Sequence, residues 1–154
     1  MTNQKDSQAI ALGSDHAGFE LKQAIKGLLI EKGLSVEDFG TFSSESCDYP
    51  DYARKVAEAV SQGISPKGIL VCGSGVGVSI VANKVRRVRA ALIHEVATAV
   101  LSRQHNDANV LCLAGRSTSQ ELAQQIITAW LATEFEGGRH QKRLDKIEVA
   151  RQGE

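Results

Sequence analysis

The stretch "ILVCGSGVGVSIVANK", Ile69 to Lys84, concentrates the residue types best suited to chemistry. An apolar run ends at Cys72, and Gly73, Gly75 and Gly77 follow on alternate positions before a helical pattern takes over. A dinucleotide-binding fingerprint needs G-x-G-x-x-G after the first strand. Here the third glycine falls one residue early and the loop follows the third apolar run. The first run leads instead into "GSDHAG", with two glycines. Asp38 stands about 20 residues further on, where a ribose-binding acid is expected, but it does not restore the pattern. No Gly-Lys-Ser/Thr follows, so a Walker loop is also excluded. Two readings of the glycines stay open. One is a set of backbone N–H groups at a helix start, suited to a phosphate or a developing oxyanion. The other is a compact strand-to-helix turn that uses glycine for its backbone freedom. Cys72 is open in the same way. It is either a small hydrophobe buried at a strand end or a thiol ionised beside a helix N-terminus, acting as nucleophile or proton-abstracting base.

Three further clusters carry polar chemistry. Asp15 and His16 sit together in "GSDHAG", at the end of the first strand, where an acid–imidazole pair points to function more than to core. "SRQHNDANV" gathers Arg103, His105, Asn106, Asp107 and Asn109; alone it reads as a polar loop that ends a helix. "GGRHQKRLDK" holds Arg139 and Arg143 at i,i+4, so one helical face carries both guanidinium groups with His140 beside them. That face is either a solvated charged surface or a clamp for phosphate, whose geometry matches the arginine fork. "KVRRVR" (84–89) reads as a surface turn, Cys112 as core, and Cys47 as a loop residue without an assigned role.

The elements that must position these groups follow from alternating short apolar runs and longer helical patterns. Strands are expected at 9–13, 35–40, 68–73, 89–94 and 109–115, and helices at 18–33, 49–63, 77–85, 95–105 and 117–133, with a charged helical tail over 138–153. Near-continuous apolar strands separated by helices require a parallel sheet covered on both faces. The expected fold is α/β: a single-domain three-layer αβα sandwich on a five-stranded parallel Rossmann-like sheet. Its core spans 8–133 and an extra C-terminal helix lies within 134–154. Ligands of such sheets sit outside the carboxyl ends of the strands. There lie Gly13–Gly18, the "CGSGVG" loop, His94 with Glu95, and Gly115 with Arg116. His105 precedes a strand and therefore belongs to the opposite end of the sheet. If it works with Cys72, a neighbouring subunit supplies it.

At 154 residues, with 42% hydrophobic and 23% charged residues, the chain has the profile of one soluble globular domain. Lys+Arg and Asp+Glu balance at 18 each, so no general attraction to nucleic acid or anionic membrane is expected. No apolar run approaches the ~18–20 residues of a membrane span, and the polar start does not read as a signal peptide. Three cysteines, odd in number and without metal-ligand spacing, suit a reduced, cytoplasmic protein with free thiols and no metal.

With these pieces assembled, the chain resembles the type B ribose-5-phosphate isomerases and their galactose-6-phosphate isomerase relatives. The resemblance runs from about Ala9 to the tail. It rests on "GSDHAGFELK", "DYPDYA", "GILVCGSGVGVSIVANKV", "SRQHNDANVL", "AGR" and "EGGRHQKR" in that order. It implies a cofactor-free aldose–ketose isomerase acting on a sugar phosphate, its active site shared across a homodimer or a tetramer built from it. It also implies Cys72 as the base moving a proton between C2 and C1, and backbone from Gly73 through Ser74, Gly75 and Val76 to Gly77 around the enediolate. His105 would open the sugar ring, with Asp15 positioning the substrate. His16, Arg116, Arg139 and Arg143 match phosphate-side residues; Tyr49 and Asn106 match other substrate contacts. One branch of the family replaces the cysteine by a glutamate in the following helix; Val78 at that place puts this chain in the cysteine branch. Ser74 stands where many relatives have threonine, which preserves the hydroxyl. The rival expectations are a hexose 6-phosphate isomerase of allose or galactose type, a non-catalytic sugar-phosphate sensor and, disfavoured by the glycine spacing, a nucleotide-binding module.

Overall fold

The computed structural model describes residues 9–149. Five strands, β1 (Ile10–Ser14), β2 (Val36–Asp38), β3 (Gly68–Cys72), β4 (Ala90–Leu92) and β5 (Val110–Ala114), form one parallel sheet in the order β2-β1-β3-β5-β4. Six helices, α1 (Phe19–Glu31), α2 (Tyr49–Ser61), α3 (Val76–Asn83), α4 (Val96–Gln104), α5 (Gln120–Ala132) and α6 (Arg139–Ile147), alternate with and then follow the strands. This is the expected αβα sandwich with its extra C-terminal helix; residues 150–153 of the anticipated tail lie outside the described region. Among the described residues no helix is long and apolar enough to cross a membrane.

Strand pleating sorts the core into two halves, because successive side chains point to opposite faces. Ile10, Leu12, Ile69, Val71, Leu111 and Leu113 pack with Leu21, Ile25 and Leu29 of α1, Ala99 of α4 and Ile126, Ile127 and Trp130 of α5. The alternate set, Ala11, Leu70, Cys72, Val110 and Cys112, packs with Val56, Ala57 and Val60 of α2 and Val78 and Ala82 of α3. Each large aliphatic so buried stabilises the fold by roughly 1.5–3 kcal/mol. The period of two in β3 therefore turns Cys72 toward α2 and α3.

Helix ends obey local chemistry. Ser119 caps α5 by accepting the Leu122 N–H at 3.1 Å, Pro50 lies in the first turn of α2, and Gly33 follows α1 with φ +77°. Asp38 does not face a ligand. Its two oxygens accept from Lys22 Nζ at 2.8 and 2.7 Å, from Lys26 Nζ at 3.2 Å and from the Gly40 N–H at 2.9 Å. The acid that mimics a ribose contact in sequence is an internal tie between α1 and the β2 end.

The strand order fixes where a ligand crevice opens. From β1 the chain moves to one edge, and from β3 it fills the other side. The switch point thus lies at the carboxyl ends of β1 and β3, where the two following loops diverge. These loops are "GSDHAG" and "CGSGVG".

Candidate active site

At the switch point, Cys72 is the last residue of β3 and only 4% exposed. Gly115 N–H donates to its carbonyl at 2.8 Å, and Arg116 N–H to the Gly73 carbonyl at 3.1 Å, which binds the "AGR" turn to the glycine loop. Gly75 is the N-cap of α3 with φ +75°, and a side chain there would meet the Leu113 carbonyl at 3.0 Å, so the turn requires glycine. Ser74 Oγ accepts the Val76 N–H at 3.2 Å. The first-turn N–H groups of α3 have no intrahelical acceptors. Two side chains flank the loop. The point a Cβ would occupy on Gly73 is 2.9 Å from Arg116 Nη1, and on Gly77 it is 2.6 Å from the Tyr49 ring. A thiol, a helix N-terminus, a guanidinium and a phenol thus converge on one loop.

The neighbouring loop is built by Asp15, which is buried and accepts the Gly18 N–H at 3.0 Å, shaping the entry to α1. His16 is half-buried; its Nδ1 accepts the Cys47 N–H at 3.2 Å, and the Cys47 thiol lies 4.0 Å away. Cys47, which the sequence leaves without a role, is the one residue of this edge that pattern reading missed. Only its place just before "DYPDYA" hints at it.

The remaining site candidates are elsewhere. β3 and β5 pair from Gly68↔Val110 to Cys72↔Ala114, so the loop before Val110 is a full strand away from Cys72, ~13 Å at about 3.3 Å per residue. There His105 caps α4 and its ring stacks on His140 with centroids 4.3 Å apart and planes at 14°. Burial first, then the electrostatic influence of His105 and Arg139, lowers the His140 pKa; Glu136 opposes this and Arg143 reinforces it. Arg139 and Arg143 are exposed on α6, while His140 turns inward, so the charged face and the histidine separate. Asn106 is exposed.

The rest of "SRQHNDANV" is structural. Arg103 is buried and donates to Asp107 Oδ1 at 2.8 Å, the Ala108 carbonyl at 2.7 Å and the Thr133 carbonyl at 3.2 Å. Asn109 ties the surface turn at 86–89 to β5 through the Arg89 N–H at 2.8 Å and the Arg87 carbonyl at 2.9 Å. Arg89 in turn holds Glu148 after α6 at 2.6 Å. Within one chain, the structure brings Cys72, the glycine loop, Asp15, His16, Tyr49 and Arg116 to one end. It leaves His105, Asn106, Arg139 and Arg143 at the other.

Fold and geometry define a parallel αβα protein with a glycine loop and a helix N-terminus at its switch point, and comparison with known proteins narrows this to an isomerase. A ribose/galactose isomerase family profile matches residues 10–147. Ribose-5-phosphate isomerase B of Escherichia coli K12 is 52% identical over 143 residues, 93% of this chain and 96% of that protein. The crystal structure of a Thermotoga maritima ribose 5-phosphate isomerase superposes with a TM-score of 0.90 at 50% identity, covering 92% of this chain and 97% of that one. That of Mycoplasma genitalium ribose-5-phosphate isomerase B with bound ribulose-5-phosphate gives 0.89 at 45% identity, covering 92% and 95%. The chain belongs to the ribose/galactose isomerase family and, within it, to the type B ribose-5-phosphate isomerases.

Proposed function

We propose that this isomerase interconverts D-ribose 5-phosphate and D-ribulose 5-phosphate through a cis-enediolate without a cofactor. The observation that carries this reading is the buried Cys72 at the mouth of a switch-point glycine loop, in a chain 52% identical to a ribose-5-phosphate isomerase B. His105 opens the furanose ring by proton transfer, and Asp15 helps to position the substrate. The Cys72 thiolate then takes the C2 proton of the open-chain aldose. The C–H electron pair forms a C1–C2 double bond, the carbonyl pair moves to the C1 oxygen, and the backbone N–H groups of Gly73 to Gly77 hold the anion. The C2 hydroxyl proton passes to the C1 oxygen, and as the C2 oxygen's electron pair forms the new carbonyl the double-bond pair takes the returning proton at C1, which yields the ketose with atoms and electrons conserved.

His16, Arg116, Arg139 and Arg143 hold the phosphate end; Tyr49 and Asn106 make further substrate contacts. Binding the phosphate, remote from the reacting carbons, orients them for proton transfer. The separation of the candidates to opposite ends of one chain supports a site shared between two copies in a homodimer. His105 and Asn106 of one subunit, with Arg139 and Arg143 carried across on its C-terminal tail, then complete the Cys72 end of the other.

The family also contains galactose isomerases, so a six-carbon 6-phosphate is the second reading. Initial rates on ribose 5-phosphate and allose 6-phosphate, measured side by side with EDTA present, test both. A preference for ribose 5-phosphate is expected. A preference for the hexose would keep the mechanism and replace the substrate, and no turnover of either would overturn the assignment.

A further inference from the structure

Among the described residues, one group of metal-ligating side chains converges: His105, Glu136 and His140, whose ligand atoms all lie within 4.8 Å of one another. Glu136 Oε2 is 3.8 Å from His140 Nε2, and the two imidazole rings are stacked. His140 is only 4% exposed, and its Nε2 is buried without a hydrogen-bond partner. An orphaned buried imidazole nitrogen is costly to keep, and here it faces a carboxylate and a second imidazole.

We propose that His105, Glu136 and His140 form a reversible binding site for a divalent transition-metal ion, zinc fitting best, and that its occupation inhibits isomerisation by sequestering His105. Two imidazoles and one carboxylate are a ligand set zinc accepts, with a fourth position left open to water or another oxygen. Magnesium and calcium, which require shells of oxygen, do not fit. Zinc bonds of about 2.0–2.1 Å in a tetrahedron need donors ~3.3 Å apart, so the ligands must draw together. The means are present. Glu136 is half exposed and free to change rotamer, and its N–H is anchored to the Gln104 carbonyl at 3.1 Å, beside His105. The stacked rings need only splay at one edge. Arg139 and Arg143 on the outer side of α6 repel a cation, which separates this site from a permanently filled structural centre and makes exchange easy. The metal site stands on geometry alone; the inhibition rests on the ring-opening role proposed above for His105.

The test uses the metal-free full-length protein titrated with Co2+ and Zn2+. Co2+ should give tetrahedral visible bands without the intense near-ultraviolet absorption of a thiolate ligand, and should broaden the NMR signals of His105 and His140. Glu136→Gln and His140→Asn should each weaken Zn2+ binding at least about ten-fold by calorimetry. Zn2+ should inhibit the wild type reversibly with EDTA, while Glu136→Gln keeps basal turnover and needs at least about ten-fold more zinc. Binding that is unchanged in both variants, or that shows thiolate absorption, would overturn the site. Binding as expected without inhibition would overturn the inhibitory half and, with it, the ring-opening role of His105, leaving the metal site intact.

Discussion

Two thiols on one face of the sheet receive opposite fates. Cys112 is fully buried in mid-strand, and burial, with a smaller contribution from Cys72, pushes its pKa far above that of a free thiol. It is a packing residue. Cys72 shares that face but ends its strand, where the chain turns into α3. Position along the strand, not residue type, separates the packing thiol from the one proposed as the base. Cys72→Ala should lower kcat for ribose 5-phosphate by at least about 10²–10⁴-fold, the usual worth of a positioned base, while calorimetry still detects substrate binding. Cys112→Ala should retain turnover and lose only stability. Retained turnover in Cys72→Ala would refute the base assignment. His105→Asn should impair turnover of substrates that form rings far more than of the open-chain form; equal loss on both would remove its ring-opening role.

The tie between α1 and the β2 end shows how an element is held by charge inside the fold. Lys22 is fully buried, with Phe19 and Phe42 rings 5.5 and 5.2 Å from its ammonium, and Asp38 is its counter-ion. Burial alone would raise the Asp38 pKa. The hydrogen bonds from Lys22, the Gly40 N–H and Lys26, with the Lys22 charge, outweigh it and hold the carboxyl below its ordinary 3.8. A carboxylate with a depressed folded pKa contributes stability that is complete above the unfolded value and lost as pH falls through the folded one. Asp38→Asn strands a buried ammonium and should cost about 3–5 kcal/mol at neutral pH. Melting temperatures of variant and wild type should begin to approach each other below about pH 4 and converge once the pH has fallen through the depressed folded pKa, where the wild-type carboxylate is itself protonated. A gap that stays constant with pH would show that the tie does not act through charge.

At the scale of the molecule, one chain places the two groups of proposed site residues at opposite ends of a single sheet. Beside the edge strand β4, α3 carries exposed Val76 and Ile80, the kind of apolar surface that association covers. If each active site joins the Cys72 end of one subunit to the His105 end of another, mixing inactive Cys72→Ala and His105→Asn protomers should recover activity. Random pairing of equal amounts restores one intact site in half of the dimers, about a quarter of wild-type activity per chain. Proven subunit exchange without recovery would show that each site is built within one subunit.

The order and type of the elements were legible in the chain because strand and helix periods are local properties. So were the glycine loop and Cys72, which lie contiguously where β3 gives way to α3, and the Asp15–His16 loop. Family likeness rested on the same continuous motifs. What local pattern does not encode is which side chains are already spent on one another. Asp38 mimicked a ligand contact until Lys22 was found on it, and "SRQHNDANV" looked uniform until Arg103, Asp107 and Asn109 proved to be structural. The seating of Cys47 on His16, of Arg116 and Tyr49 on the glycine loop, and of His140 on His105 joins residues 28 to 43 positions apart. Such pairs meet only when strands are placed in register and helices are laid over them, because their geometry belongs to packing and not to the chain.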